Sequence, residues 1–460
     1  METDGRAGGV GRNRQAVHGV LLLLALSLGP GCRSDHLAPA IRVVLITLDT
    51  LRFDRLDPAA AATPAMPRTL SHARKGLQFS RFYSTSPVTQ PSHATMFTGL
   101  HPWEHGITRN GLVLSDHFPI AAEFFRQAGF ATAAVIASFP LAARFGYARG
   151  FDEFTEEFSR QFKRRKNVWE ERRGIPRGEF FTPGEAVTDQ AIEALSRARA
   201  ARQFFWFHYF DPHSPYGSSR GDELNKTEIL SRAQAGGDGV SELLERARRG
   251  DTADVAYLDG TLDRLLQRLE RDAGKFETHI LVVADHGESF GEGGSMGHGN
   301  RLNEEQIHVP AFILSPKITP GIRGDVAGSI DVPRTLLSLA GVSAGDVVLG
   351  GRDLTSAAEN DRRVFAMRRT YREGRGRETR LDGQVYTLEG NLFCEVGAEG
   401  TIYRGDGRGP QAADDLLDAP ARERMTARFQ FFEEQLERST ALELLDPEVE
   451  RALRSLGYVR

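Results

Sequence analysis

Three short apolar runs each stop on a charged or imidazole-bearing group, and no other feature of the 460-residue chain restricts its fold as strongly. Residues 41–48 run into Asp49-Thr50, residues 279–284 into Asp285-His286-Gly287, and residues 204–210 into Asp211-Pro212-His213. Near-continuous runs rich in β-branched and aromatic side chains read as strands buried on both faces, the pattern of a parallel sheet. In open α/β sheets, ligands gather at the carboxyl edge of the strands, which is where these three groups of polar residues fall. Between the runs, Leu258, Leu262, Leu265, Leu266 and Leu269 keep to one face at helical spacing, interleaved with charges, and read as core packing of a helix that feeds the next strand.

The length accommodates one large domain and a smaller one. The expected division is a catalytic α/β domain over residues 38–352 and a subdomain over 353–460. Beyond Gly351, short apolar runs at 364–367, 384–388, 392–396 and 401–403 are punctuated by glycine-rich turns and predict a small antiparallel sheet. A helix over 421–439 and a terminal one would cover it, and Cys394 reads as a packed strand residue. The charged stretch at 162–173 reads as a solvated face, and the polar stretch at 218–250 as a loop and helix over the sheet edge. A net charge of −4 over this length argues against nucleic-acid binding.

Residues 1–32 read as an export signal: Arg6, Arg12 and Arg14 precede an apolar run at 20–28, which is closed by Gly29-Pro30-Gly31-Cys32. The run is too short to span a bilayer as a mature helix. A cysteine at this position predicts a lipoprotein acylated at Cys32, periplasmic or on the outer membrane; plain secretion and an uncleaved anchor are the alternatives.

Chemistry concentrates in Thr89-Gln90-Pro91-Ser92-His93. Thr89 is placed just before a helix start with Pro91 near its first position, where amides and dipole favour an oxyanion. Asp49, Asp285 and His286 offer hard oxygens and an imidazole, a set suited to Ca²⁺, Mn²⁺, Mg²⁺ or Zn²⁺. Such an ion would activate the Thr89 hydroxyl. His213 and His298 are placed to assist the leaving oxygen. The glycines around Glu288 and Glu292 predict a tight loop beside the site.

Taken in order, Leu48-Asp49-Thr50-Leu51-Arg52, Thr89 to Gly99, His105-Gly106, Phe210-Asp211-Pro212-His213, Ala284-Asp285-His286-Gly287-Glu288 and His308-Val309-Pro310 resemble the sulfatase family of the alkaline phosphatase superfamily. Asp331 to Leu336 and the closing Leu456-Gly457-Tyr458-Val459 agree with it. The resemblance implies a mixed sheet flanked by helices and a smaller C-terminal sheet domain. It implies one divalent ion on Asp49, Asp285 and His286 with Thr89 bridging to substrate, and leaves room for a second ion on Asp211, His213 and His298. Arg52, His93 and His308 fall at substrate-binding positions. The partner it implies is a small-molecule, glycan or lipid ester of sulfate or phosphate.

Four departures bear on the substrate. Sulfatases carry Cys or Ser where Thr89 stands and oxidise it to formylglycine, and a threonine β-carbon already bears a methyl group. His93 replaces an arginine, Thr50 replaces the second aspartate of the first motif, and residues 134–138 lack the family's lysine. Threonine is the nucleophile in related phosphodiesterases and phosphoglycerol or phosphoethanolamine transferases, so the expectation moves toward phosphate or phosphonate esters. A true sulfatase, and a non-catalytic member that binds sulfated or phosphorylated glycan, are the competing readings.

Overall fold

The structure is a computed structural model that describes residues 40–59, 64–158, 160–161, 179–235, 237–359, 362–371, 379–387, 395–396, 402–405 and 410–412. The expected signal with Cys32, the charged stretch at 162–173, Cys394 and the helices expected beyond residue 413 lie outside the described residues.

All three apolar runs form strands of one sheet. Its eight strands are β1 (Ala40–Leu48), β2 (Leu77–Phe79), β3 (Ala131–Val135), β4 (Glu153–Thr155), β5 (Arg202–Tyr209), β6 (Phe276–Ala284), β7 (Ala311–Leu314) and β8 (Gly321–Arg323). They lie in the order β8-β2-β7-β6-β1-β5-β3-β4. Every neighbouring pair is parallel except those made by β7, which runs against both β2 and β6. The sheet is therefore mixed, with a parallel centre. Residues 42–48 of β1 are all buried: Val43, Val44, Leu45, Ile46 and Leu48 find apolar cover on both faces, and Arg42 pairs with Asp272.

The leucine stripe lies on a 32-residue helix, Val240–Arg271, and Leu258, Leu262, Leu265, Leu266 and Leu269 are all buried on it. Each such side chain stabilises the fold by roughly 1.5–3 kcal/mol. The polar stretch after residue 217 forms a short helix, Lys226–Gln234, and the first turns of Val240–Arg271. No helix among the described residues is long and apolar enough to cross a membrane.

Register is what builds the site. Leu48 stands opposite both Tyr209 and Ala284, so β1, β5 and β6 end level. The Asp285 amide then donates to Leu48 O (3.1 Å), and the Asp49 amide to Tyr209 O (2.9 Å). Beyond residue 362, Arg363–Tyr371 pairs antiparallel with Thr379–Thr387, and three short strands at 395–412 pair antiparallel among themselves. Val364 and Ala366 pack with Tyr83, Ile307 and Val326 in a small apolar cluster.

Candidate active site

Asp49 and Asp285 leave adjacent strands at the same level, and His286 follows directly, so oxygen and imidazole atoms of these three residues lie within 4.8 Å of one another. All three are fully buried. Asp285 Oδ1 accepts from the amides of Thr50 (3.2 Å) and His286 (2.7 Å). Neither oxygen of Asp49 nor Oδ2 of Asp285 has a hydrogen-bond donor. Burial pushes both carboxyl groups well up from the carboxylate range, and for Asp49 the neighbouring Asp285 charge adds to it. Two buried carboxylates that face each other without donors call for a cation, and the mixed oxygen and nitrogen donor set fits a divalent ion. Among the described residues this is the one group of three that converges so.

Local backbone serves that convergence. Thr50 has φ 55°, the one non-glycine residue with positive φ among those described. A β-branched residue there is strained by about 1–3 kcal/mol, and the turn brings its amide onto Asp285. Gly287 is needed for a different reason: a Cβ at this position would lie 2.1 Å from the carbonyl oxygen of Glu305.

Thr89 is the first residue of the helix Thr89–Thr98, not the residue before it, and Pro91 is the third helical position. Proline is tolerated there because the amides of a helix's first turn have no intrahelical partner. Ser92 ties this helix to the sheet edge by donating its hydroxyl to Asp285 O (2.7 Å). The Thr89 hydroxyl then stands 3.4 Å from His286 Nε2. The expected cradle of helix amides is largely spent: Gln90 N donates to Asn110 Oδ1, Pro91 has no N–H, and Ser92 N donates to Val88 O. Positive potential for an oxyanion has to come from elsewhere.

Four histidines surround the threonine, and each turns Nδ1 to a carbonyl oxygen. His93 Nδ1 donates to Thr89 O (2.9 Å), His286 Nδ1 to Gly287 O (3.1 Å), His213 Nδ1 to Ser214 O (2.6 Å) and His298 Nδ1 to Pro87 O (3.2 Å). In a neutral ring the other nitrogen is then a bare acceptor. Burial lowers the pKa of His93 to about 4 and of His286 to about 3. Burial also lowers His213 and His298 well below the usual range, and the Lys226 charge adds to it. These rings are neutral near pH 7, so each presents Nε2 as a hydrogen-bond acceptor.

Three placements differ from the sequence expectation. Arg52 is taken by Asp54 (3.0 and 2.9 Å) and Glu292 (2.8 Å), so it fastens the glycine-rich loop. His308 stacks on Phe53 and Tyr83 and spends its nitrogens on Ser80 O and Glu304. Asp211 turns its Oδ2 to the amide of Gly184 (2.8 Å) at the start of the helix Gly184–Arg197, away from a second ion. Two contributors are absent from the sequence reading. His208 Nε2 lies 3.7 Å from Asp49 Oδ2 and 3.1 Å from Ser138 Oγ, behind the metal group. Lys226, buried to 5% exposure, reaches His298 Nε2 at 3.0 Å. Its one sequence signal is a lysine just after the helix cap Asn225, in the turn where a cation opposes the helix dipole.

Comparison with known proteins gives the same picture. A family model described as Sulfatase matches residues 42–342. Choline-sulfatase of Rhizobium meliloti (strain 1021) is 24% identical over 358 residues, which cover 66% of this chain and 68% of that protein. A protein solved in complex with its substrate D-glucosamine-2-N,6-O-disulfate superposes with a TM-score of 0.64 at 18% identity, over 89% of this chain and 99% of that one. The phosphonate monoester hydrolase of Silicibacter pomeroyi superposes with a TM-score of 0.62 at 19% identity, over 86% and 96%. At these identities the superpositions establish the shared fold.

Proposed function

The chain belongs to the sulfatase family of hydrolases, and on that premise we propose that it cleaves a phosphodiester or phosphonate ester with Thr89 as nucleophile. The observation that carries this reading is the Thr89 hydroxyl on the first turn of its helix, 3.4 Å from His286 Nε2 and beside the donorless carboxylates. A threonine cannot become the aldehyde on which sulfate release depends in the family, but it can form and lose a phosphoryl ester.

Asp49, Asp285 and His286 would hold the divalent ion, which supplies Lewis acidity toward the hydroxyl and the ester oxygens. Thr89 Oγ1 loses its proton and attacks the phosphorus in line, the P–O bond to the leaving group breaks as that oxygen takes up a proton, and Thr89 is left esterified to the phosphorus with its retained alkoxy or carbon substituent. Water then attacks that phosphorus, the P–Oγ1 bond breaks, and a phosphomonoester or phosphonate leaves as the threonine hydroxyl is restored. His286 Nε2 would hold the ion and His298 Nε2 accepts from Lys226, which leaves His93 Nε2, without a partner, to take up a proton.

Sulfate ester cleavage is the second reading, supported by the likeness to choline-sulfatase. The reading includes export of the chain, supported by the residue pattern of 1–32; a Cys32→Ser chain that still fractionates with membranes would overturn acylation there. The experiment for the central reading offers aryl sulfate, phosphomonoester, phosphodiester and phosphonate ester in parallel, each with Mn²⁺, Ca²⁺, Mg²⁺ and Zn²⁺. Phosphodiester or phosphonate turnover that falls at least ~10³-fold in Thr89→Ala supports it. Thr89-dependent sulfate release with no phosphoryl turnover would replace it by the second reading.

A further inference from the structure

The corner of the pocket opposite the carboxylates has an electrostatic problem. His213 Nε2 and His298 Nε2 approach to 3.2 Å. Both rings carry their proton on Nδ1, fixed by the carbonyls of Ser214 and Pro87, so two lone pairs point at each other. That arrangement is repulsive unless a donor or a cation faces both. Lys226 Nζ stands 3.0 Å from His298 Nε2, and its charge is felt at both rings. The ammonium also disfavours a second metal ion at this corner.

We propose that Lys226 is the substrate-binding cation of this site, its ammonium held at His298 Nε2 so that its charge and N–H groups meet an oxygen of the ester or of the departing group. This rests on the reading of Thr89 as nucleophile on an anionic ester.

Four observations converge on it. First, the side chain is built in: Lys226 is 5% exposed, and its Cδ lies 3.3 Å from where a Cβ on Gly297 would stand, so the stem runs tightly beside the hairpin formed by Ser289–Phe290 and Met296–Gly297. Second, it is continuous with the nucleophile. The His298 and His286 ring centroids are 4.4 Å apart, and His286 reaches Thr89. Third, positive charge is scarce here. The helix amides beside Thr89 are largely spent, the surrounding imidazoles are bare acceptors, and His93 stands in place of an arginine. Fourth, lysine is rare in this chain, six of 58 basic residues, and this one sits in the first turn of a helix, where its charge opposes the dipole. A compact ammonium that donates in three directions can serve His298 and a ligand oxygen together.

The test uses the full chain loaded with Mn²⁺ and compares wild type, Lys226→Met, Lys226→Arg and Thr89→Ala. Lys226→Met keeps the stem, and its melting temperature reports whether it folds. Calorimetric titration with inorganic phosphate and with orthovanadate reads the anion site without turnover. We expect Lys226→Met to lose affinity for these anions at least ~10-fold with Mn²⁺ binding unchanged. On the best ester, kcat/KM should fall on the order of 10²-fold, the loss growing as the leaving group becomes more basic. Lys226→Arg should recover part of the anion affinity. Undiminished anion affinity in folded Lys226→Met overturns the proposal, whatever the turnover. Thr89-dependent turnover with Lys226→Met at wild-type kcat/KM also overturns it while leaving Thr89 as nucleophile. Anion binding that depends on Lys226, in a protein that turns over no ester, upholds the proposal and removes the nucleophile reading instead.

Discussion

Two sides of one pocket are built by different means. On one side Asp49, Asp285 and His286 hang from strands whose ends are levelled by the pairing of Leu48 with Tyr209 and Ala284. On the other, His213 comes from a turn, His298 from the loop after Met296–Gly297, and Lys226 from the start of a nine-residue helix in a polar segment. The first side is held by the sheet, since a one-residue slip would carry every side chain of β1 to the opposite face. The second lies outside the main sheet, its connections tied by the single Tyr216–Leu224 bridge and by the Lys226 amide donating to Ser214 Oγ. The strand-end side suits a group common to a whole fold, and the loop side suits whatever varies with the substrate.

Substitution should separate the two sides. The largest effect belongs to the strand ends: Asp285→Asn is expected to weaken Mn²⁺ binding more than ~10²-fold in calorimetric titration, beyond the cost of removing an outer-shell partner. Turnover should fall with it, and retained metal affinity would break the assignment. Lys226→Met comes next, with a loss of about 10²-fold in kcat/KM and metal affinity intact, so the two sides should differ in which titration they disturb.

A smaller effect is expected at Arg52, which joins the sides by tying the turn after β1 to the loop at 288–294. Arg52→Ala should lower kcat/KM roughly 10-fold through loosened loop geometry, without changing the affinity for inorganic phosphate. A matching loss of phosphate affinity would restore Arg52 as a substrate ligand.

The smallest effect on turnover, none at pH 7, is expected at His105, which only supports the helix of Thr89. It donates from Nε2 to Thr95 Oγ1 (3.2 Å), and its Nδ1 accepts from the Ile107 amide (3.0 Å). Burial first, then His101, lowers its pKa to about 3, against 6.5 for a free imidazole. A depressed pKa means that its contribution to stability is whole above pH 6.5 and is lost as pH falls toward 3. Between pH 7 and pH 5 the wild type should therefore lose about 2 kcal/mol relative to a His105→Gln chain, read from urea unfolding. Parallel pH profiles for the two proteins would contradict it.

The same contrast explains what the sequence discloses. Asp49 and Asp285 are legible because each ends an unbroken hydrophobic run, and a buried parallel strand leaves that mark whatever surrounds it. The leucine stripe of Val240–Arg271 and the antiparallel pairing beyond residue 362 are legible for the same reason of periodicity. Arg52 and His308 lie as close to recognisable motifs as Asp49 does, yet point into ion pairs and ring stacks, since proximity along the chain says nothing of direction. Pro91 misplaces the helix start by two residues because proline fits any position of a first turn. Thr50 is invisible as a left-handed residue because threonine is a poor occupant of that conformation. Lys226 carries almost no pattern at all; its importance follows from two imidazole lone pairs that meet only in three dimensions.

The central claim is that Thr89 takes the phosphoryl group. Acid quenching of the metal-loaded chain during turnover of a phosphodiester, followed by mass analysis of the peptide that contains Thr89, tests it most directly. The account predicts on Thr89 of the quenched wild type a phosphoryl adduct that keeps the substrate's second ester group, and none in Thr89→Ala, which should also be inactive. Steady turnover with an unmodified Thr89 peptide, undiminished in Thr89→Ala, would contradict it.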